Sequence, residues 1–558
     1  MTEYLKLKES NCKHCYKCIR NCPVKAISFK DDQAIIRSED CILCGQCFVA
    51  CPQNAKEIRN DLAVAKALIN SGDPVAASIA PSFAANYDSV TIGSMEKALK
   101  QLGFAAVEET AIGATIVKKE FDALAKNGVQ DVIISSCCPT VNTLIQKYYP
   151  KAIPFLAHVV SPMQAHSMDI KERLAGAKTV FIGPCISKKA EAESYPGTAD
   201  CVLTFEELSG WLTEEGISIE PAEDRNQESR ARLFPTIGGI LRTMKADNPD
   251  YTYMAIDGIE NCKNAIEDIL NGKIHRCFIE MSACAGSCIN GPAIDRSSRE
   301  PVLDFMYINH YAGKQDFRVA EYASQMLKKE MPSLAAQNIY FSDFSIGEVL
   351  KKIGKTRPED ELNCGSCGYN TCREKAIAVL EGKADLTMCL PYLKEKAESF
   401  SDNIIKNTPN AILVLDEAFT VQQINSAACK LVNISSPWDV LGEPVVRILD
   451  PAPFMEASQK GRNIYDKRVY LPEYRKYVDQ TIILDTSFHI IISIMKDVTE
   501  EALRLEQKTE IGRATIEIAD KVIDKQMRSV QEIASLLGET AAETKVALTR
   551  LKELLKNE

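Results

Sequence analysis

Cysteine placement constrains this 558-residue chain more than any other feature, because 16 of its 21 cysteines fall into four groups. Residues 1–60 hold two groups, residues 61–345 hold one that is spread over three short motifs, and residues 346–395 hold the fourth. The opening stretch, MTEYLKLKES, lacks the apolar core of a secretory signal, so we expect a cytoplasmic location with reduced thiols. Clustered cysteines in such a compartment bind metals or carry out redox chemistry. The sequence therefore predicts a fold organised around metal centres.

Composition limits the functions that the chain can serve. Its length exceeds what one hydrophobic core can hold, so several domains are expected. Hydrophobic residues make up 46% and charged residues 25%, as in ordinary folded proteins. The net charge of −10 argues against a nucleic-acid partner. No apolar run reaches the roughly 18 residues that span a bilayer, so no membrane partner is expected.

The first sixty residues repeat the pattern C-x2-C-x2-C-x3-C-P. This pattern resembles that of bacterial two-cluster ferredoxins, in which the fourth cysteine of each copy ligates the other [4Fe–4S] cluster. Zinc is the alternative, although zinc sites rarely use the doubled spacing. The resemblance implies one cluster on Cys12, Cys15, Cys18 and Cys51, and a second on Cys41, Cys44, Cys47 and Cys22.

Residues 61–345 have the texture of an α/β domain, in which short strand-like runs alternate with amphipathic stretches. Three cysteine motifs stand out: SSCCP at 135–139, GPCISKK at 183–189 and EMSACAGSC at 280–288. The first two follow the strand-like runs 131–136 and 178–184, as expected for a site at strand ends. Each cysteine alone could be a packed core residue. Together, the three loops can supply the ligands of one buried metal cluster.

These motifs resemble those of the iron–iron (FeFe) hydrogenases over roughly residues 1–345. The family motifs are T-S-C-C-P, M-P-C-x-x-K-K-x-E and E-x-M-A-C-x-x-x-C. The family's H-cluster is a [4Fe–4S] cubane bridged through one cysteine to a diiron unit with CO, cyanide and bridging dithiolate ligands. The resemblance implies that Cys288 is this bridge and that the cubane ligands are Cys138, Cys185, Cys284 and Cys288.

The resemblance also implies roles for residues around the diiron unit. Cys137 matches the cysteine that passes protons to the bridging amine, and Lys188 matches the lysine that pairs with one cyanide. Pro81 and Ser82 match the loop that contacts the other cyanide. An ammonium group and oriented N–H donors are suited to hold an anion in a dry pocket.

Several positions depart from the family pattern. Ser282 and Gly183 stand where the family has methionines, and Lys118–Lys119 stand where the most active members carry glutamates of their proton path. A lysine with an ordinary pKa near 10.4 is a poor proton relay at neutral pH, so we expect a slow enzyme or another proton route. Glu280 and Glu120 are the candidate substitutes, and we count Ser282 and Glu280 among the candidate catalytic residues.

Four further cysteines have no metal role in this interpretation and are expected in the core. Cys262 is the one that we would test as a proton relay. The four are Cys201, Cys262, Cys277 and Cys429.

The fourth cysteine group has the spacing C-x2-C-x4-C-x16-C. It resembles a small four-cysteine [4Fe–4S] module of several redox and signalling proteins, and zinc remains the alternative. Its position between two domains suggests an electron-transfer or structural link. The candidate ligands are Cys364, Cys367, Cys372 and Cys389.

Residues 396–499 have a mixed α+β pattern, with strand candidates at 411–416 and 481–497. They resemble a PAS sensor domain, whose exit into a signalling helix is similar to Lys496–Thr499. No haem or flavin ligand set is evident, so we expect no PAS cofactor. A plain dimerisation module is the alternative.

Residues 500–558 have a proline-free helical pattern with a heptad seam, which predicts a coiled-coil homodimer. The alternative is a helix that folds back onto the preceding domain. No histidine follows His489, so the helix lacks a phosphoacceptor and a signal must pass to a separate partner such as a kinase or phosphatase. The seam positions are Met527, Val530, Ala534, Leu537, Ala541, Thr544, Leu548, Leu551 and Leu555.

The sequence thus predicts a multidomain α/β and α+β protein. Its parts are a two-cluster ferredoxin domain (1–60), an H-cluster domain (61–345), an iron–sulfur module (346–395), a PAS domain (396–499) and a signalling helix (500–558). The leading hypothesis is a sensory hydrogenase that slowly and reversibly activates hydrogen (H2 = 2 H+ + 2 e−). It would exchange electrons with a ferredoxin-like partner. The alternatives are a metabolic ferredoxin-linked hydrogenase and a hydrogenase-like iron–sulfur scaffold protein without a diiron site.

Overall fold

The computed structural model describes residues 4–8, 11–30, 33–88, 90–222, 224, 229–294, 301–335, 340–537 and 541–556. The chain divides into two compact units, residues 1–392 and residues 393–558. Within the described residues, no helix combines the length and the apolar character that a membrane crossing needs.

The first unit begins with a small fold of short strands and one-turn helices. Its elements are β1 (Leu5–Leu7), α1 (Lys17–Arg20), β2 (Ile27–Lys30), β3 (Gln33–Ile36), α2 (Gln46–Ala50) and β4 (Lys56–Ile58). β1 pairs with β4 and β2 pairs with β3, both antiparallel. Each helix starts after a left-handed residue that follows the second cysteine of its motif, Tyr16 (φ 54°) or Gly45 (φ 72°). The repeated sequence motif therefore produces a repeated local structure.

The following region contains two parallel sheets with helices around them. The strands are β5 (Val75–Ile79), β6 (Ala106–Glu109), β7 (Val132–Ile134), β8 (Lys178–Gly183), β9 (Cys201–Thr204), β10 (Thr252–Asp257) and β11 (Cys277–Ser282). The helices are α3 (Leu62–Ile69), α4 (Phe83–Asn86), α5 (Ile92–Gln101), α6 (Ala111–Asn127), α7 (Pro139–Tyr148), α8 (Pro162–Arg173), α9 (Ser187–Ser194), α10 (Phe205–Glu214), α11 (Gly239–Thr243), α12 (Ile259–Leu270) and α13 (Pro301–Tyr311).

The two sheets have the strand orders β6-β5-β8-β9 and β10-β11-β7. β5, β7 and β11 are buried along their whole length, which explains their nearly continuous apolar sequences. The strand-like runs at 131–136 and 178–184 coincide with β7 and β8. The α/β character expected for this region is confirmed, and its strand ends position the site described below.

The first unit closes with the four-cysteine region, built on α14 (Asp343–Lys352) and α15 (Cys372–Leu380). The two helices share a small core that includes Ile346, Leu350 and Ala376. Helix α16 (Leu390–Asn407) begins directly after Cys389 and continues past residue 392.

The second unit contains a five-stranded antiparallel sheet in the order β13-β12-β16-β15-β14. Its strands are β12 (Ala411–Asp416), β13 (Val421–Ile424), β14 (Ile464–Leu471), β15 (Lys476–Asp485) and β16 (Ile490–Asp497), and its short helices are α17 (Ser426–Leu431) and α18 (Ala452–Lys460). β12 coincides with the predicted strand 411–416. The predicted run 481–497 is instead split between β15 and β16, which form a hairpin around residues 486–489.

The C-terminal helical pattern forms two helices, α19 (Thr499–Leu537) and α20 (Ala541–Lys556). The Lys552 ammonium lies 3.1 Å from the Asp520 carboxylate, so α20 runs back along α19. The expectation of one continuous heptad helix is therefore corrected to a helical hairpin. The seam side chains of Ala534, Leu537, Ala541 and Leu555 lie outside the described residues.

Candidate metal and catalytic centre

Four loops that follow strands β5, β7, β8 and β11 meet around one buried cavity of about 120 Å³. The carboxyl ends of parallel strands are the usual place for such a site. Apolar side chains, among them Phe181, Phe234 and Ile240, form much of its wall. Ten candidate site residues of this region line the cavity: Pro81, Ser82, Cys137, Cys138, Cys185, Lys188, Glu280, Ser282, Cys284 and Cys288.

The four candidate cubane ligands are thiols in the wall of this cavity. Burial raises the pKa of Cys138, raises that of Cys284 strongly, and raises that of Cys288 to about 12. Such thiols stay neutral unless a cationic centre displaces their protons, which is the chemistry of a metal site. Their convergence from three separate loops is what a buried cluster requires.

The C-x3-C loop is fixed by Gly286 in a left-handed conformation (φ 83°). A β-carbon there would lie 2.0 Å from Asn290 Nδ2. The Gly286 N–H donates to the Asp257 carboxylate at 2.7 Å. These contacts explain why glycine stands between Cys284 and Cys288.

Two polar groups in the cavity have hydrogen-bonding capacity that the described residues do not use. The Ser82 hydroxyl is fully buried and has no hydrogen-bond partner among the described residues. The Lys188 ammonium donates to Glu191 Oε2 at 2.6 Å and to the Cys137 carbonyl at 3.5 Å. These contacts occupy two of its three N–H donors, so one remains for an anion in the cavity.

Glu191 organises a buried charge cluster behind the cavity, and sequence reasoning assigned it no role. It accepts from Lys188, from Lys329 at 2.5 Å and from Ser161 Oγ at 2.9 Å. Burial opposes its ionisation, but the ammonium groups of Lys188 and Lys329 lower the pKa of Glu191 to about 2. Burial favours neutral Lys188 as well, yet Glu191 raises its pKa. The K-K-x-E motif contained Glu191, but nothing in the sequence pointed to Lys329, which is 138 residues away.

Glu280 is an acidic side chain in the lining of the cavity that also contains Cys137. Burial raises the pKa of Glu280 to about 7, although backbone N–H groups of residues 238–241 lower it. Leu241 N–H donates to its carboxylate at 3.1 Å. Glu280 and Cys137 line the same cavity and interact electrostatically. Burial raises the Cys137 pKa strongly, so its thiol is neutral.

The other candidate proton relays lie outside the cavity lining. Lys118 is buried and pairs with Asp316, whereas Lys119 is exposed and Glu120 is half-buried on α6. The Cys262 thiol is buried and donates to the Ser282 carbonyl at 3.5 Å. Cys201, Cys277 and Cys429 are buried, as expected for core cysteines.

The N-terminal cysteines form groups beside this centre. Cys22, Cys41, Cys44 and Cys47 line one cavity, which brings together the set expected for the second ferredoxin cluster. Cys18 interacts electrostatically with Cys12 and Cys15. A β-carbon on Gly45 would lie 2.4 Å from Pro292 and 3.0 Å from Ile186, so the Cys44 loop packs against the loops that carry Cys185 and Cys288.

The fourth group also converges. Cys364, Cys367, Cys372 and Cys389 line one small cavity together with Tyr369 and Lys375. Lys375 is almost fully buried and its ammonium donates to the Asp385 carbonyl, so a positive charge lies next to the four sulfurs.

Family models match three segments of the chain. The model for the "Iron only hydrogenase large subunit, C-terminal domain" matches residues 73–292. The "4Fe-4S dicluster domain" model matches residues 11–55, and a model described as "Putative Fe-S cluster" matches residues 360–391. The chain therefore carries an FeFe-hydrogenase-like domain and a 4Fe–4S ferredoxin domain, and iron–sulfur binding is supported in all three segments.

Similar proteins include both hydrogenases and iron–sulfur cluster assembly factors. The periplasmic [Fe] hydrogenase large subunit of Nitratidesulfovibrio vulgaris is 26% identical over 273 residues, which are 38% of this chain and 65% of that protein. The cytosolic Fe-S cluster assembly factor narfl of Danio rerio is 24% identical over 310 residues, which are 40% of this chain and 74% of that protein. This chain thus spans just under two thirds of the hydrogenase subunit. A solved [FeFe]-hydrogenase from Chlamydomonas reinhardtii aligns at 16% identity with a TM-score of 0.40, covering 50% of this chain and all of that one.

Proposed function

We propose that the chain is a sensory FeFe-type hydrogenase that reversibly converts H2 into two protons and two electrons. One observation carries this proposal. Four cysteines from three loops share a cavity with a thiol at Cys137, an ammonium at Lys188 and a buried Ser82 hydroxyl that has no hydrogen-bond partner among the described residues. A [4Fe–4S] cubane alone would need only the four thiolates. The groups of Cys137, Lys188 and Ser82 are suited to a diiron unit that carries anionic ligands such as cyanide.

The residues present fit an H-cluster. Cys138, Cys185, Cys284 and Cys288 would hold the cubane, and Cys288 would also hold the diiron unit. The bound group would supply hydrogen activation. The chain itself supplies a dry wall, the Lys188 ammonium and the Ser82 hydroxyl as donors to cyanide-like ligands. Glu191 keeps Lys188 charged and directs it.

Proton exchange at the centre is assigned to Cys137 and Glu280. The neutral Cys137 thiol can give and regain a proton without holding a charge in the apolar cavity. Glu280, with a pKa of about 7, can take and return protons at physiological pH, whereas the lysines at 118 and 119 do not line the cavity. Ser282 leaves space and polarity where a methionine would fill the wall.

Electrons would leave through the ferredoxin-like domain to a ferredoxin-type partner. The contact of Gly45 with Pro292 and Ile186 supports this route, since it brings the Cys44 loop against the loops of Cys185 and Cys288.

The sensory part of the proposal concerns the second unit, to which we assign a PAS domain and a dimerising signal helix. The antiparallel sheet with β12 at its interior and the helix that follows β16 support this assignment. Exposed apolar side chains on α19, including Ile511, Ile518 and Val522, support a homodimer. A separate signalling protein, such as a kinase or phosphatase, would change its activity in response to the state of the second unit.

A second candidate function is iron–sulfur cluster assembly without a diiron unit. The likeness to the assembly factor of Danio rerio favours it, because its identity is close to that of the hydrogenase subunit. Such a scaffold needs the four cubane cysteines but not Cys137, Ser82 or Lys188.

Infrared spectroscopy of the full chain, matured anaerobically with its diiron unit, separates the two functions. The hydrogenase proposal predicts bands of metal-bound CO and cyanide, which disappear in Cys288→Ala and persist in Cys201→Ala, a buried cysteine outside the cavity. A spectrum without these bands in protein that holds its full complement of cubane iron would leave the scaffold function.

A further inference from the structure

The four-cysteine module packs directly against the ferredoxin-like domain. Lys25 Nζ donates to the Gly368 carbonyl at 2.8 Å, and Arg20 Nη1 donates to the Ser366 carbonyl at 3.0 Å. The Phe29 N–H donates to the Lys383 carbonyl at 2.9 Å. These contacts join segments more than 300 residues apart in sequence, so the module is anchored beside the N-terminal cysteines.

Gly368 allows the four-cysteine module and the ferredoxin-like domain to approach each other closely. It has a φ of 95°, and a β-carbon there would lie 2.7 Å from Ile19 Cγ2 and 3.3 Å from the Arg20 nitrogen. The backbone that carries Cys367 therefore approaches the helix that precedes Cys22. Cys22 and Cys367 belong to one hydrophobic cluster.

Tyr369 lies at this junction with an unused donor. Its side chain is 3% exposed, and its hydroxyl is buried without a hydrogen-bond partner among the described residues. The residue lines the four-cysteine cavity and packs in the cluster that contains Cys22 and Cys367. A buried hydroxyl without an acceptor is costly, so an acceptor in the cavity is expected.

We propose that Tyr369 is a positioning residue whose hydroxyl donates a hydrogen bond to a sulfur of a [4Fe–4S] cluster held by Cys364, Cys367, Cys372 and Cys389. Hydrogen bonds to cluster sulfurs stabilise the more negative, reduced state and raise the reduction potential. The buried Lys375 ammonium acts in the same direction. The module then attracts one electron at a time from the cluster on Cys22, Cys41, Cys44 and Cys47. The Tyr369 hydroxyl keeps its proton in both the oxidised and the reduced state of the module cluster.

This inference rests on the proposed iron–sulfur content of the module and not on the diiron unit. A failure of the infrared test would leave it standing. A negative result in the redox test of Tyr369 would leave the proposal of hydrogen activation unaffected.

The test is an EPR-monitored redox titration of the reconstituted full-length protein and of Tyr369→Phe. We expect the ratio of reduced to oxidised module cluster at a fixed potential to fall about tenfold, which is about 59 mV for one electron. The matched control is Tyr253→Phe, because the Tyr253 hydroxyl is likewise buried and finds no hydrogen-bond partner within the described part of the chain, but it lies outside the module. An unchanged module potential in a Tyr369→Phe protein with full iron content would overturn the proposal.

Two further measurements keep the proposal testable if Tyr369→Phe loses iron. Pulsed EPR of the wild-type protein must show an exchangeable proton coupled to the reduced module cluster, and a spectrum without it contradicts the proposal. Removing that cluster with Cys364→Ser must sharpen the EPR signals of the neighbouring ferredoxin-like clusters in fully reduced protein. Signals that do not change, or zinc in place of iron at the module, would also refute it.

Discussion

Replacing Glu191 by glutamine tests whether a buried charge balance supports the catalytic cavity. The Glu191 carboxylate lies between the ammonium groups of Lys188 and Lys329, and the side chains of all three are at most 10% exposed. Glutamine keeps the shape but removes the negative charge. Two ammonium groups would then share one water-poor site without a counter-charge, which is strongly destabilising.

The lowered pKa of Glu191 gives the size of the expected loss of stability in Glu191→Gln. A fall from 4.5 to about 2 corresponds to about 3 kcal/mol of preference for the ionised form in the folded state. Because the folded-state pKa is lowered, this stabilisation is complete above pH 4.5 and is lost as pH falls towards 2. Glu191→Gln should therefore lose about 3 kcal/mol at pH 7, and its deficit should shrink in acid.

Hydrogen exchange at peptides covering α9 is the appropriate assay, because a multidomain chain has no single unfolding free energy. Glu193→Gln is the matched control, since its side chain is 42% exposed and its pairing with Arg59 is at the surface. The double variant Glu191→Gln with Lys329→Met should recover part of the loss. Wild-type protection in Glu191→Gln at pH 7 would refute the reasoning.

Three further predictions concern single side chains. Glu280→Gln should abolish the rise in the rate of H2 oxidation as pH increases through 7, because a carboxylate with a pKa of about 7 must be ionised to accept a proton. A pH–rate profile that still rises through pH 7 in this variant would contradict the proton-transfer role of Glu280. Cys137→Ala should cut turnover by about 100-fold or more while the infrared bands of the matured protein persist. Gly45→Ala should lower the opening free energy of the Cys44 loop by about 1–3 kcal/mol in hydrogen exchange, because its β-carbon would meet Pro292, whereas Gly72→Ala, also left-handed but in open space, should cost its own loop less.

The positions of the metal-site residues could be predicted from the sequence because cysteine spacing and strand ends are local signals. SSCCP and GPCISKK each follow a buried strand, and parallel strands bring their carboxyl ends to one edge. Ten predicted residues consequently line one cavity.

Long-range partners could not be predicted in this way. Lys329 reaches Glu191 through a loop that has no motif, and Gly368 meets Lys25 across 343 residues. The prediction of one continuous C-terminal helix, where the structure has α19 and α20, is wrong for a different reason. Its heptad count runs through Gly538, although glycine after the last helical residue is a common end signal, and α19 ends at Leu537.

The module also bears on the proposed sensory function. Cys389, its last candidate ligand, directly precedes α16, so the candidate metal site and the first turn of that helix are adjacent in the chain. The far end of α16 is held in the second unit by Asn425, whose amide donates to the Ile405 and Asn410 carbonyls at 2.9 Å. Its side-chain oxygen accepts from Ile412 in β12. The proposed sensory function requires two states of different stability, and the start of α16 beside Cys389 is where the redox state of the module would first act on the chain.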